Sequence, residues 1–306
     1  MKTCILVIGC LSVAIAPRAR AEDGVNGITA VSSKVSKDYV RKKLPDGSFQ
    51  PETYAFGEGG KWEGEISDIT IDRLHFIDVA RVISVPLAER KYVPARDPNK
   101  TNLLIMLYWG TTAVPEPYSM SVAYQQFKDA TTNLAKYTTT LPSGRQITGG
   151  GPMADAALDQ WSAAASMLMM VNHQRDRTDF SNALMLGYDS PGLIGTEKGN
   201  YVRGTALGVD REDLYDDIEE NRYFVVLMAY DFQRLWKQKK HKLLWETRFS
   251  IRERSNQFDK ALPAMAQYAS KYFGVSSDGL VRERFPQGNV EVGTPSLIEF
   301  LSDPKK

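Results

Sequence analysis

Cysteine is nearly absent: the 306-residue chain holds only Cys4 and Cys10, both at its extreme N-terminus. Histidine is almost as scarce, and His75, His173 and His241 lie far apart. None of them forms an HxH or HExxH pattern, so the spacing of a histidine metal site is missing. No GxSxG elbow supplies a serine nucleophile, and no GxxxxGK[ST] loop supplies a phosphate cradle. An excess of one charge is also lacking, with 38 basic residues against 37 acidic ones. Nucleic-acid binding rests largely on phosphate contacts and favours a strong basic excess, so this composition argues against it. No repeat of 20–50 residues is evident.

What is present begins with an export signal. Lys2 provides a positive start, and Cys4 to Ala16 is an apolar run. That run of about 13 residues is too short to cross a bilayer, which takes about 20. Pro17 interrupts it, and Ala19-Arg20-Ala21 offers the small-x-small pattern of a cleavage site after Ala21. Val7-Ile8-Gly9-Cys10 resembles a lipobox, which sets up a competing outcome: lipidation of Cys10 and anchoring to a membrane. Cleavage after Ala21 would remove both cysteines, and with them disulfide and thiol chemistry. It would also remove Lys2, Arg18 and Arg20, leaving 35 basic residues against 37 acidic. The expected location is periplasmic or secreted.

Residues 22–50 are polar and carry Asn26-Gly27 and Asp46-Gly47 turn signals, so they read as loosely ordered. Thr53 to Phe56 is β-prone, and Gly57, Gly59 and Gly60 read as its end. Leu74, Ile77, Ala80, Ile83 and Leu87 recur at helical spacing, with Asp68 or Asp72 as the cap. Pro86 inside that pattern predicts a kink or two shorter helices. Asn102 to Trp109 is a continuous apolar run of strand length, suited to a strand buried on both faces. Two helical patterns follow, over 118–137 and 153–174, then loop composition at 187–210 and a short acidic helix at 211–221. Tyr223 to Phe232 reads as a buried strand and Leu243 to Arg252 as an alternating one, joined as a hairpin. Phe258, Leu262, Met265, Ala269 and Tyr272 mark an amphipathic helix stopped by Gly274. Residues 275–306, rich in Gly and Pro, read as an extended tail.

The expected fold is α/β (α+β), a mixed sheet packed by amphipathic helices. A single domain over 51–274 is interrupted by a helical insertion at about 113–221. Thr101-Asn102-Leu103-Leu104-Ile105, Met228-Ala229-Tyr230-Asp231 and Leu243-Leu244-Trp245 carry a resemblance. They resemble the α/β domain of uncharacterised bacterial envelope lipoproteins, over residues 53–112 and 222–274. The stretches from Tyr92 to Thr112 and from Tyr223 to Arg252 are also similar to secreted or periplasmic bacterial proteins of comparable length. The resemblance implies this fold and carries over no catalytic residue.

Few places could carry chemistry. Gly149-Gly150-Gly151 precedes a helix and reads as a connector rather than an anion site. Gly57-Glu58-Gly59-Gly60 lacks the full dinucleotide fingerprint. The acidic run over 210–220 could hide a carboxylate pair for glycoside hydrolysis, although a solvated helix face accounts for it. The basic stretch with Arg234, Trp236, Lys237, Lys239, Lys240 and Lys242 could touch anionic lipid or a cell-wall polymer, or be a turn kept soluble by its lysines.

The reading that follows is an exported, non-enzymatic interaction or binding module with no cofactor, whose partner is an envelope protein or polymer. Two alternatives stand beside it. One is a carboxylate-dependent hydrolase with a cleft between sheet and insertion; the other is a scaffold anchored through a lipidated Cys10, the one route to membrane association.

Overall fold

A computed structural model describes residues 5–6, 27–62, 64, 67–114, 120–188 and 217–284. The cleavage residues Ala19 and Ala21, the lipobox residue Cys10 and most of the acidic run lie outside the described residues. The chain divides into a sheet unit, residues 1–113 with 182–306, and a helical unit, residues 114–181.

The sheet unit is a mixed sheet. Its strands are β1 (Ile5–Leu6), β2 (Ile28–Val35), β3 (Glu52–Trp62), β4 (Tyr92–Pro94) and β5 (Leu103–Thr111). The helical unit contributes the β6–β7 hairpin (Thr138–Thr140 and Gln146–Thr148), and the sheet resumes with β8 (Arg222–Asp231), β9 (Leu243–Arg252) and β10 (Leu280–Arg284). The order across the sheet is β1-β3-β5-β8-β9-β2-β10, with β4 beside β3. Strand β3 runs parallel to β4 and β5; the other pairings are antiparallel.

One face of the sheet carries the main core. Leu103, Ile105, Leu107 and Trp109 of β5 alternate with residues of the opposite face, and so do Tyr223, Val225, Leu227 and Ala229 of β8. Helix α1 is Ile69–Asp72, and two longer helices, α2 (Phe76–Glu89) and α6 (Phe258–Ala269), cover this face. Val79, Ile83 and Leu87 come from α2, and Phe258, Leu262 and Met265 from α6. Asp68 caps α1, its carboxylate accepting from Thr70 N at 2.8 Å and from the Tyr223 hydroxyl. His75 caps α2, with Asp78 reaching back to His75 N at 3.1 Å.

Several expectations need correction. Residues 22–50 are not loose from Gly27 onward, because β2 lies inside the sheet between β9 and β10. Its small polar residues obscured this: Ser33 is buried, with its hydroxyl 2.8 Å from both Thr247 Oγ1 and Tyr272 O. Further on, the Arg41 guanidinium lies between the rings of Phe49 and Tyr92, 4.1 Å from each centroid, and donates to Arg90 O at 2.7 Å. The glycines at 57, 59 and 60 do not end β3, which runs to Trp62. Met106 and Tyr108 of β5 occupy the space where Cβ atoms of Gly57 and Gly59 would sit, so the glycines let neighbouring side chains lie flat on the strand. Pro86 does not divide the helix. The break falls at 73–75, and α2 runs through Pro86 to Glu89: the one donor lost is that of residue 86 itself, toward the Val82 carbonyl, while Pro86 O still accepts from Arg90 N at 3.2 Å.

The opposite face carries a smaller cluster formed by Ala183, Leu186, Tyr188, Ile218, Phe224 and Val226. Asn182 ties it together, donating to Ala113 O at 2.6 Å and Ile218 O at 3.1 Å.

In the helical unit α3 (Val122–Ala135) pairs with α4 (Pro152–Leu186), whose last five residues, from Asn182, belong to the sheet unit. Ser121 caps α3 by accepting from Tyr124 N at 3.2 Å. Phe127 and Trp161 meet with ring centroids 5.9 Å apart, and Asn133 donates to Gln160 at 3.1 Å. The second helix is longer than its sequence pattern suggested, running to Leu186 instead of ending near Gln174. His173 therefore lies inside a helix and not at its end.

Candidate functional site

Two places concentrate polar chemistry in the sheet unit. The first is the connection from β8 to β9. It contains a short helix, α5 (Phe232–Gln238), where the sequence suggested a simple hairpin turn. Asp231 caps this helix by accepting from Arg234 N at 2.9 Å, and Lys239 ends it in the left-handed region with φ 56°. Gln233 anchors it sideways, donating to Pro98 O at 2.7 Å and Thr101 O at 2.8 Å. The exposed ammonium-bearing Lys100 belongs to that same neighbouring turn. Phe232 is buried, and its ring lies 5.9 Å from that of Trp236.

The six sequence candidates divide here. Trp236 is 40% exposed, and Lys237, Lys239 and Lys240 are exposed beside it. Lys242 instead turns to Asp38 at 3.3 Å, and Arg234 is half-buried. His241 lies edge-on to Tyr230 with centroids 6.0 Å apart. An exposed tryptophan packed against a buried phenylalanine and followed in the chain by three exposed lysines makes a basic surface segment with one aromatic side chain.

The second place is a buried ionic hub that sequence reasoning missed. Asp217, 5% exposed, sits just before β8. It accepts from Arg222 Nη1 at 2.6 Å, from Arg282 Nη2 at 2.8 Å and from the Tyr188 hydroxyl at 3.1 Å. Arg222 is 1% exposed and also donates through Nε to Ser250 Oγ at 3.1 Å. Burial pushes the Tyr188 phenol up to about 12, with Arg222 pulling it down and Asp217 adding to the rise. Beside the hub, Arg252 Nε meets Glu220 at 2.6 Å. Both oxygens of Asp217 are thus engaged by cationic or hydroxyl donors. That suits the pinning of β8 and β10 to the residues before β8, rather than proton transfer. One signal was available: an arginine opens a strand that is otherwise apolar, and a buried arginine needs an acid.

The remaining candidates fall elsewhere. Gly149 N donates to Tyr137 O at 2.7 Å, so that amide is committed to the helical unit's own turn. Gly57, Gly59 and Gly60 lie within β3, not at a strand-to-helix turn. Of the acidic run, Asp217, Glu219 and Glu220 are described, and residues 210, 212, 213 and 216 lie outside the described residues. Among the described residues no group of three His, Cys, Asp or Glu side chains could hold a metal ion. No described helix is long and apolar enough to cross a membrane.

No family model matches the chain, and no curated protein matches it. Among solved structures, it is similar to a PDZ domain protein from Parabacteroides distasonis ATCC 8503, with 12% sequence identity and a TM-score of 0.34. That likeness covers 87% of this chain and 39% of the other, so the chain spans well under half the length of that protein.

Proposed function

We propose that the chain is an exported, non-catalytic binding module of the bacterial envelope that contacts an anionic envelope polymer through the platform at α5. The observation that carries this reading is the clustering of exposed Trp236, Lys237, Lys239 and Lys240 at the C-terminal end of α5, a helix capped by Asp231 at the end of β8 and tied by Gln233 to the turn before β5. Exposed lysines attract a flexible polyanion without demanding one bonding geometry. Trp236 has one side committed to Phe232, so it offers a ring to rest against rather than a wedge to insert.

The N-terminal run and the Ala19-Arg20-Ala21 pattern support the export part of the proposal. The occupied state of Asp217 favours binding over the carboxylate-hydrolase alternative.

Binding to dextran sulfate, followed by fluorescence at low and at physiological salt, tests the platform. Each lysine near an anionic surface contributes about 1 kcal/mol, so the triple variant Lys237→Ala/Lys239→Ala/Lys240→Ala is expected to bind about a hundredfold more weakly. Added salt is expected to weaken the wild type and to narrow that gap. Equal binding by wild type and variant would sink the assignment. Binding to anionic lipid vesicles but not to the polymer would replace the polymer with a membrane surface.

A further inference from the structure

Helix α4 is apolar around more of its circumference than α3 can cover. From Met153 to Val171 the charged residues are Asp155 and Asp159 alone. One series at alternating three- and four-residue steps faces inward: Ala154, Ala157, Ala164 and Leu168 are buried, and Trp161 meets Phe127 of α3. One position earlier runs a second series at the same spacing, made of Met153, Ala156, Gln160, Ala163, Met167 and Met170. All six are exposed, Met153 by 70%, Met167 by 47% and Met170 by 73%. An apolar stripe that repeats every 3.5 residues is the surface that a second helix fills.

The stripe fits a reversed copy of itself. Under a twofold axis near residue 165, Ala163 meets Met167, and Gln160, exposed but with its Oε1 accepting from Asn133 of α3, lies beside Met170, so each methionine faces a smaller or a polar, flexible side chain. The same axis brings Met153 and Asp155 alongside Arg177 of the second copy, placing opposite charges at each end of the contact. A parallel pairing would instead set Met167 on Met167, Met170 on Met170 and Asp155 on Asp155. We infer that the helical unit is a dimerisation element: α4 packs antiparallel against α4 of a second copy, and two α3–α4 pairs make a four-helix assembly. The stripe from Met153 to Met170 is about 26 Å long. A single seam of that length lies at the low end of stable interfaces, so micromolar association is expected.

The test uses the full chain with Cys4 and Cys10 changed to serine. Sedimentation up to about 100 µM is expected to show a monomer–dimer equilibrium. Met167→Glu/Met170→Glu is expected to raise the dissociation constant at least tenfold, with unchanged circular dichroism. Met169→Glu, on the other flank of α4, should leave it unaltered. Mixed Ala163→Cys and Met167→Cys chains should oxidise chiefly to the heterodimer. A monomer throughout, equal sensitivity to Met169→Glu, or a predominance of Met167→Cys homodimers would each overturn the inference.

Discussion

Replacing Asp217 with Asn is expected to lower the stability of the sheet unit by about 3–5 kcal/mol. The substitution keeps the shape and removes the charge. Arg222 would then remain 1% exposed with its main anionic partner gone, and an uncompensated buried cation is far costlier than a lost surface pair. Arg282 would suffer less, because its side chain is about one-third exposed and can turn to water. Tyr188 would lose a charged acceptor at 3.1 Å. The size of the effect comes from what stays behind rather than from the strength of the pair itself. Asp217→Leu combined with Arg222→Met should therefore recover much of the loss, since it removes both charges and keeps apolar volume. Urea unfolding followed by circular dichroism measures both variants. A loss below about 1 kcal/mol for Asp217→Asn would mean that the hub is more solvated than its geometry implies.

The hub also shows where the sequence stops being readable. Strands such as Leu103–Thr111 and Leu243–Arg252 are legible because apolar runs and alternation report burial directly. Strand β2 is not, because Thr29, Ser32 and Ser33 are buried although small and polar, and the partners of the Ser33 hydroxyl, Thr247 and Tyr272 O, lie more than 200 positions later in the chain. The glycines of β3 read as a stop because their purpose lies in Met106 and Tyr108, about 50 positions later in the chain. Asp217 read as part of a solvated acidic face for a similar reason. Its partners Arg222 and Arg282 come together only once β8 and β10 have joined the sheet. At α5 the lysines and Trp236 were visible in the sequence, but the withdrawal of Lys242 to Asp38 depends on the turn after β2.

The two tryptophans of the β8–β9 region provide the last expected contrast. Trp245 is fully buried, lying 5.8 Å from the ring of Tyr92 and 6.1 Å from that of Phe273. Truncation to alanine opens a large cavity between sheet and helix, and Trp245→Ala is expected to cost about 3–5 kcal/mol. Trp245→Phe should cost much less. It keeps most of the ring contact and removes an indole N–H that finds no acceptor among the described residues, which offsets part of the lost volume. Trp236 differs because its ring is partly exposed and makes one aromatic contact, with Phe232. Trp236→Ala is expected to change stability by no more than about 0.5 kcal/mol while weakening binding to dextran sulfate. Denaturant unfolding and polymer binding, measured on the same three variants, separate the two roles. If Trp236→Ala lost stability like a core substitution, the ring would be part of the packing and the platform would lose its aromatic surface. If it left both stability and binding untouched, the contact would rest on the lysines alone.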